Sequence, residues 1–122
     1  MSRSIAIGYR RNADDRMTYI KVRSPYDLLG TQGTSMRFWS ILKLKEIGII
    51  QLTLLGVCDP VSFDGWENMA ELGHEITLLQ QNLETIAFDP EIKAQWLSHL
   101  IYCYFLLIQM APKDSIPVLT IG

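Results

Sequence analysis

The chain has 122 residues, 48% of them apolar and 20% charged, with two cysteines and a net charge of −2 at neutral pH. Those values describe one globular domain over residues 1–122, long enough to bury a core without covalent staples, and exclude a disordered or disulfide-dense chain. A pI near 5.6 also argues against a nucleic-acid-binding domain, which is usually strongly basic.

The small net charge conceals two poles. Residues 1–45 carry nine Lys or Arg against three Asp, whereas residues 46–92 carry nine acids and no Lys or Arg. Unless the poles neutralise one another within the fold, such blocks set up a field with a positive and a negative side.

In chain order, Ser4–Tyr9 and Met17–Arg23 both alternate apolar and polar residues, the mark of half-buried strands. A polar turn, Arg10–Arg16, joins them into an expected β-hairpin. The opening residues contain no continuous apolar run, so no secretory leader is expected and the location implied is cytoplasmic. Ser24–Gly33 reads as loop, punctuated by Pro and Gly. Thr34 or Ser35 then offers an N-cap for a helix whose apolar stripe is Met36, Phe38, Trp39, Ile41, Leu42 and Leu44, with Gly48 as its stop. Residues 48–56 fit either a buried strand or more helical turns, with helix favoured. Gly56–Pro60 is a loop.

Asp64 and Glu67 make a capping-box-like start. From there Met69, Leu72, Ile76, Leu79, Leu83 and Ile86 recur at alternating spacings of three and four, an apolar seam along one helix. After a turn at Phe88-Asp89-Pro90, a second helix begins with Asp89 as cap and Pro90 in its first turn. It contains the run Leu100–Ile108, apolar all round, which implies burial on most sides. Gln95, Ser98, His99 and Gln109 interrupt the region, which is too short to span a membrane. The two helices are expected to pack antiparallel across the turn. Ile116–Ile121 reads as a final strand, and Pro117, which lacks an N–H, is expected to make it start at the sheet's edge or lie along it. The fold class expected is α+β: a small antiparallel sheet, built from the N-terminal hairpin and the C-terminal strand, covered on one face by three or more helices.

No stretch carries a recognised catalytic motif. His99 and Cys103 stand four apart on one helix face, but two ligands do not make a zinc site, and His74 reads as a surface residue. Cys58 and Cys103 read as reduced, buried thiols. Gly30–Ser35 precedes a helix, where backbone amides can hold an anion, yet it lacks the Gly-Lys-Ser/Thr close of a phosphate loop. Neither metal nor cofactor is expected. The tyrosines Tyr9, Tyr19 and Tyr26 interleave with arginines near the N-terminus, a pattern nucleic acid could use, but the acidic pI disfavours it. The strongest signal is Glu67, Glu71 and Glu75, four residues apart on the seam-bearing helix with no lysine to relieve them, and with Asp59 and Asp64 close before it.

Across its whole length the chain resembles the immunity proteins of bacterial contact-dependent growth inhibition and related polymorphic toxin systems. The likeness lies in a small, mildly acidic single domain without catalytic motifs. It lies also in the segments Phe38-Trp39, Gly56-Val57-Cys58-Asp59-Pro60 and Ser115-Ile116-Pro117-Val118-Leu119-Thr120-Ile121-Gly122. Those families differ in fold, so the resemblance implies a role rather than a topology. That role is binding a cognate toxin domain, often a nuclease, in the producing cell's cytoplasm. The expected protein is therefore not an enzyme but a monomeric 1:1 inhibitor, contacting a basic partner through Asp59, Asp64, Glu67, Glu71 and Glu75. Two rivals are a ligand-binding domain or enzyme using Gly30–Ser35 with His99 or Tyr26, and an oligomerisation subunit pairing chains through the Met69–Ile86 seam.

Overall fold

A computed structural model describes residues 2–122. The elements run β1 (Ser2–Arg10), β2 (Thr18–Ile20), β3 (Leu28–Thr31), α1 (Gln32–Trp39), α2 (Leu42–Glu46), a 3-10 turn (Leu52–Gly56), β4 (Val61–Asp64), α3 (Trp66–Asn82), a second 3-10 turn (Leu83–Thr85), α4 (Pro90–Met110) and β5 (Ile116–Ile121). The fold is α+β, with the helices packed on one face of a small antiparallel sheet in the order β2-β1-β5-β4, and β3 joined to the start of β1.

The expected hairpin forms, with Ile7 opposite Ile20 and Tyr9 opposite Thr18. The closing strand returns to it, Ile5 pairing with Ile121 and Arg10 with Ile116. Period two then sorts the side chains. Ile5, Ile7, Val61, Phe63, Leu119 and Ile121 are buried beneath the helices, while Ala6 and Ser62 on the opposite face are exposed.

Two strands occur beyond those expected. Leu28–Thr31, within the stretch read as loop, pairs with β1, and Val61–Asp64 pairs with β5. Each is four residues long, too short for alternation to register, and each exists because a distant strand supplies its ladder. The β1–β3 register shifts between Ser2 and Ser4. Gly30, at φ 77°, sits in that irregular stretch, and a Cβ there would stand 2.5 Å from Trp96 Cζ2. Only glycine accepts both the left-handed backbone and the indole beside it.

β5 does not lie along the sheet's edge, but it starts at one, since Ile116 and Pro117 pair with β1 alone. It runs between β1 and β4, and Pro117 is tolerated because of where β4 ends. The Pro117 carbonyl accepts the Gly65 N–H at 2.8 Å. In an antiparallel strand the N and O of one residue point the same way, so the missing N–H falls just past β4's last ladder residue.

The helix expected from Thr34 to Gly48 is two helices. Thr31 caps the first, three residues earlier than expected, its hydroxyl accepting from Thr34 N. The break falls at Ser40-Ile41, where Ile41 is extended. There the 3-10 turn packs against the gap, Ser40 Oγ donating to Gly56 O at 3.3 Å. The helical leaning for residues 48–56 holds for Leu52–Gly56, as 3-10 turn rather than α-helix.

Asp64 does not open the next helix. It ends β4, and Gly65 occupies the N-cap position with no side-chain bond. The seam holds in part: Met69, Leu72, Ile76 and Leu79 are buried on α3, but the helix ends at Asn82, so Leu83 is half-buried in the 3-10 turn and the buried Ile86 lies beyond it. Asp89 caps α4, its Oδ1 accepting from Glu91 N and Ile92 N at 3.0 Å each. The helices approach closely at Gly73, where a Cβ would collide with the Tyr104 hydroxyl, and that hydroxyl donates to Met69 O at 2.9 Å. Burial of α4 is less complete than its composition implies. Trp96, Leu100, Cys103 and Leu107 form the core stripe, while Phe105 and Met110 are more than half exposed. A helix laid on one face of a sheet keeps one side in water whatever residues fill it.

Candidate interaction surface

α3 turns Met69, Leu72, Ile76 and Leu79 inward and leaves Glu67, Ala70, Glu71 and His74 exposed. Glu75 does not join the exposed acids. It is 5% exposed, its Oε2 accepting from Gln51 N and its Oε1 from Leu52 N, both at 3.0 Å. The cause is helical geometry. A four-residue step overshoots a full turn by about 40°, so Glu75 is rotated roughly 80° from Glu67 and reaches the buried side. There it closes the amino end of the 3-10 turn Leu52–Gly56, whose first N–H groups have no partner within the turn. Glu71, between the two in angle, stays exposed and accepts from Gln51 Nε2.

The other two acids are placed by different elements. Asp64, on β4, accepts from Arg10 Nη2 at 2.9 Å and from Ser62 Oγ at 2.7 Å. Asp59, exposed in the loop before β4, accepts from Gln32 Nε2 at 2.6 Å. That loop is tied down from beneath by Arg3, which is fully buried. Arg3 Nη1 donates to Leu55 O at 2.6 Å and to Ser35 Oγ at 3.3 Å, and Nη2 donates to Cys58 O at 2.7 Å. Burial lowers the guanidinium's pKa from its ordinary value, and the charge of Asp59 opposes that shift. An arginine counted with the basic pole is thus an internal brace holding the Asp59 loop against β1. The alternation of β1 puts Arg3 on the same face as Ile5 and Ile7, but its charge reads as surface until the carbonyls that receive it are in place.

The two charged poles hardly touch. Among the described residues the only ion pair is Arg10–Asp64. Arg11, Arg16, Lys21 and Arg23 remain exposed at the hairpin end, and Glu67, Glu71 and Glu84 on and beyond α3. Lys93 is buried. Its Nζ donates to Leu83 O and Ile86 O at 2.7 Å each, closing the carbonyl end of the preceding helical segment.

His99 and Cys103 hold a neighbouring strand. His99 Nδ1 bonds Leu28 O at 2.7 Å, which requires its proton on Nδ1. Cys103 Sγ donates to Tyr26 O at 3.2 Å. Tyr26 stacks on Tyr102 at 4.3 Å and meets His99 edge-on at 5.4 Å. The Cys103 thiol is pushed up to about 12, first by burial and then by the charge of Asp27. Among the described residues no three His, Cys, Asp or Glu converge to hold a metal ion. Cys58 is exposed rather than buried, because the loop turns it outward while its carbonyl is held by Arg3. Gly30–Ser35 is the junction of β3 and α1.

Three of the surface depressions among the described residues stand out. One of about 470 Å³ lies between the loop at Gly48–Gln51 and α3, lined by Ile50, Gln51, Ala70, Glu71, His74 and Glu75. A second, of about 410 Å³, is formed by the arginines of the hairpin turn, and a third, of about 200 Å³, by Leu42, Leu54 and Val57 over Trp39. None of the three is lined by Gly30–Ser35, Tyr26 or His99. No helix is long and apolar enough to cross a membrane among the described residues. Compared with protein-family models, curated proteins and solved structures, the chain matches none.

Proposed function

We propose that this protein is an inhibitor without enzymatic activity of its own, which binds and neutralises a cognate bacterial toxin domain in the cytoplasm of the producing cell. The observation that carries the reading is that Glu67 and Glu71 stand exposed on α3, and Asp59 exposed on a braced loop, none of them in an ion pair among the described residues. Nucleases hold polyanions in basic clefts. A rigid negative surface can occupy such a cleft in place of phosphate. Asp64 lies on the open face of the sheet beside Ser62, its charge partly met by Arg10, and is proposed to contribute at the margin of the contact. Glu75 supports it from beneath by fixing the 3-10 turn. The complex is a 1:1 pair, and complementary charge speeds its formation, toward about 10⁸ M⁻¹s⁻¹ at low salt.

The test is co-expression with the polypeptide encoded immediately upstream. Relief of that polypeptide's toxicity and a complex that survives purification are expected. Glu67→Lys combined with Glu71→Lys is expected to slow association by about tenfold or more and to flatten its salt dependence. Unaltered affinity and salt dependence in the double variant removes the acidic surface from the interface. Absence of both rescue and complex removes the inhibitor role.

A further inference from the structure

The groove between Gly48–Gln51 and α3 has a chemistry of its own. Its walls are mainly apolar, with Ile50 59% exposed along one side and Ala70 on the other. Two carboxylates, Glu71 and Glu75, also line it. Glu75 is buried and tied to backbone N–H groups, so it cannot swing out to water. No lysine, arginine or histidine lies within ion-pair distance of either acid among the described residues. His74 lines the groove as well, outside ion-pair distance of both acids among the described residues. An open, mainly apolar groove with an exposed carboxylate, Glu71, and a second, buried one, Glu75, neither answered by a cation, is complementary to a long aliphatic stem that ends in a positive charge.

We propose that this groove receives a lysine or arginine side chain of the partner protein. Its stem lies on Ile50 and Ala70, and its cationic head is met by Glu71 and Glu75. The proposal rests on the inhibitor reading for the partner's identity, and it names the kind of residue that anchors the contact. An anchor of this type, partly desolvated and met by charge, is where interfaces concentrate their energy. Glu67, about one turn before Glu71, extends the same negative field toward the approaching partner.

Butylguanidinium, a stem and a cation in one small molecule, is the probe. Titrated into the ¹⁵N-labelled protein, it is expected to shift the backbone amides of Gly48, Ile50, Gln51 and Ala70 saturably, with a dissociation constant on the order of 1 mM. Guanidinium without the stem and butanol without the charge are each expected to bind several-fold more weakly. Glu71→Gln is expected to weaken the probe by about tenfold while retaining the native spectrum elsewhere. Ala70→Leu leaves both charges in place and fills the slot from an exposed helical position; it too is expected to abolish the shifts.

Shifts that do not saturate, that centre elsewhere, or that persist unchanged in Ala70→Leu overturn the proposal. The two readings fail separately. A groove that takes the probe in a protein that neither rescues from nor binds its neighbour's product leaves the site standing and ends the inhibitor role. A protective protein whose groove ignores the probe ends this proposal alone.

Discussion

The carboxylate of Glu75 and the amide of Leu52 meet at 3.0 Å, across 23 residues of chain, and the other oxygen of Glu75 takes the Gln51 amide. One buried acid therefore closes the start of a 3-10 turn that belongs to a different part of the fold. Glu71, one helical turn earlier, contacts only the side chain of Gln51 and stays in water. The two glutamates should behave differently when removed. Glu75→Ala strands two N–H groups and is expected to cost about 2–4 kcal/mol. Glu71→Ala is expected to lie within about 0.5 kcal/mol of the parent. Urea unfolding of both variants measures the difference, and equal costs would contradict the assigned roles.

The α3–α4 contact is keyed by Gly73 and Tyr104. Alanine in place of Gly73 gains up to about 1 kcal/mol in helix propensity, but its methyl group enters the space of the Tyr104 hydroxyl. Overpacking should dominate, for a net loss of about 1–3 kcal/mol. Tyr104→Phe alone loses the hydrogen bond to Met69 O, at about 1 kcal/mol. Combined, the two changes should cost less than their sum by at least about 0.5 kcal/mol, since the second removes the atom the first collides with. Additive costs in a double-mutant cycle would show that the two residues do not share that space.

Cys103 links stability to alkaline pH. Its thiol moves from an ordinary value of 9.0 up to about 12 in the folded protein. Between those values the unfolded chain releases a proton that the folded chain keeps. The neutral thiol's contribution is thus complete below pH 9 and drains away as pH climbs toward 12. Tyr104, raised by burial, adds to the same trend. Cys103→Ala is expected to make the fall in stability above pH 9 shallower, by up to about 1.4 kcal/mol per pH unit. At pH 8, iodoacetamide should label the exposed Cys58 and spare Cys103 until the protein is unfolded. Rapid labelling of both in the native state would refute the burial of Cys103.

Much of the fold is legible in short stretches of residues. The Met69–Leu79 seam, the Asp89-Pro90 helix start, the hairpin and the closing strand each follow from spacing within a turn or two, which neighbouring residues settle among themselves. The acidic run of α3 is legible in the same way, as is the absence of any cation to answer it between residues 46 and 92. The remaining features depend on groups brought together from far along the chain. The strands β3 and β4 exist because β1 and β5 offer them ladders. Pro117 is tolerated in the sheet because β4 stops beside it. Arg3 left the basic pole for the interior because Leu55 and Cys58 present carbonyls there. Glu75 turned from surface charge to internal cap because roughly 80° of helical drift faced it toward two unpaired amides. Periodicity states which side of an element prefers water; the partner that answers a buried hydrogen-bonding group is known only once the chain has closed on itself.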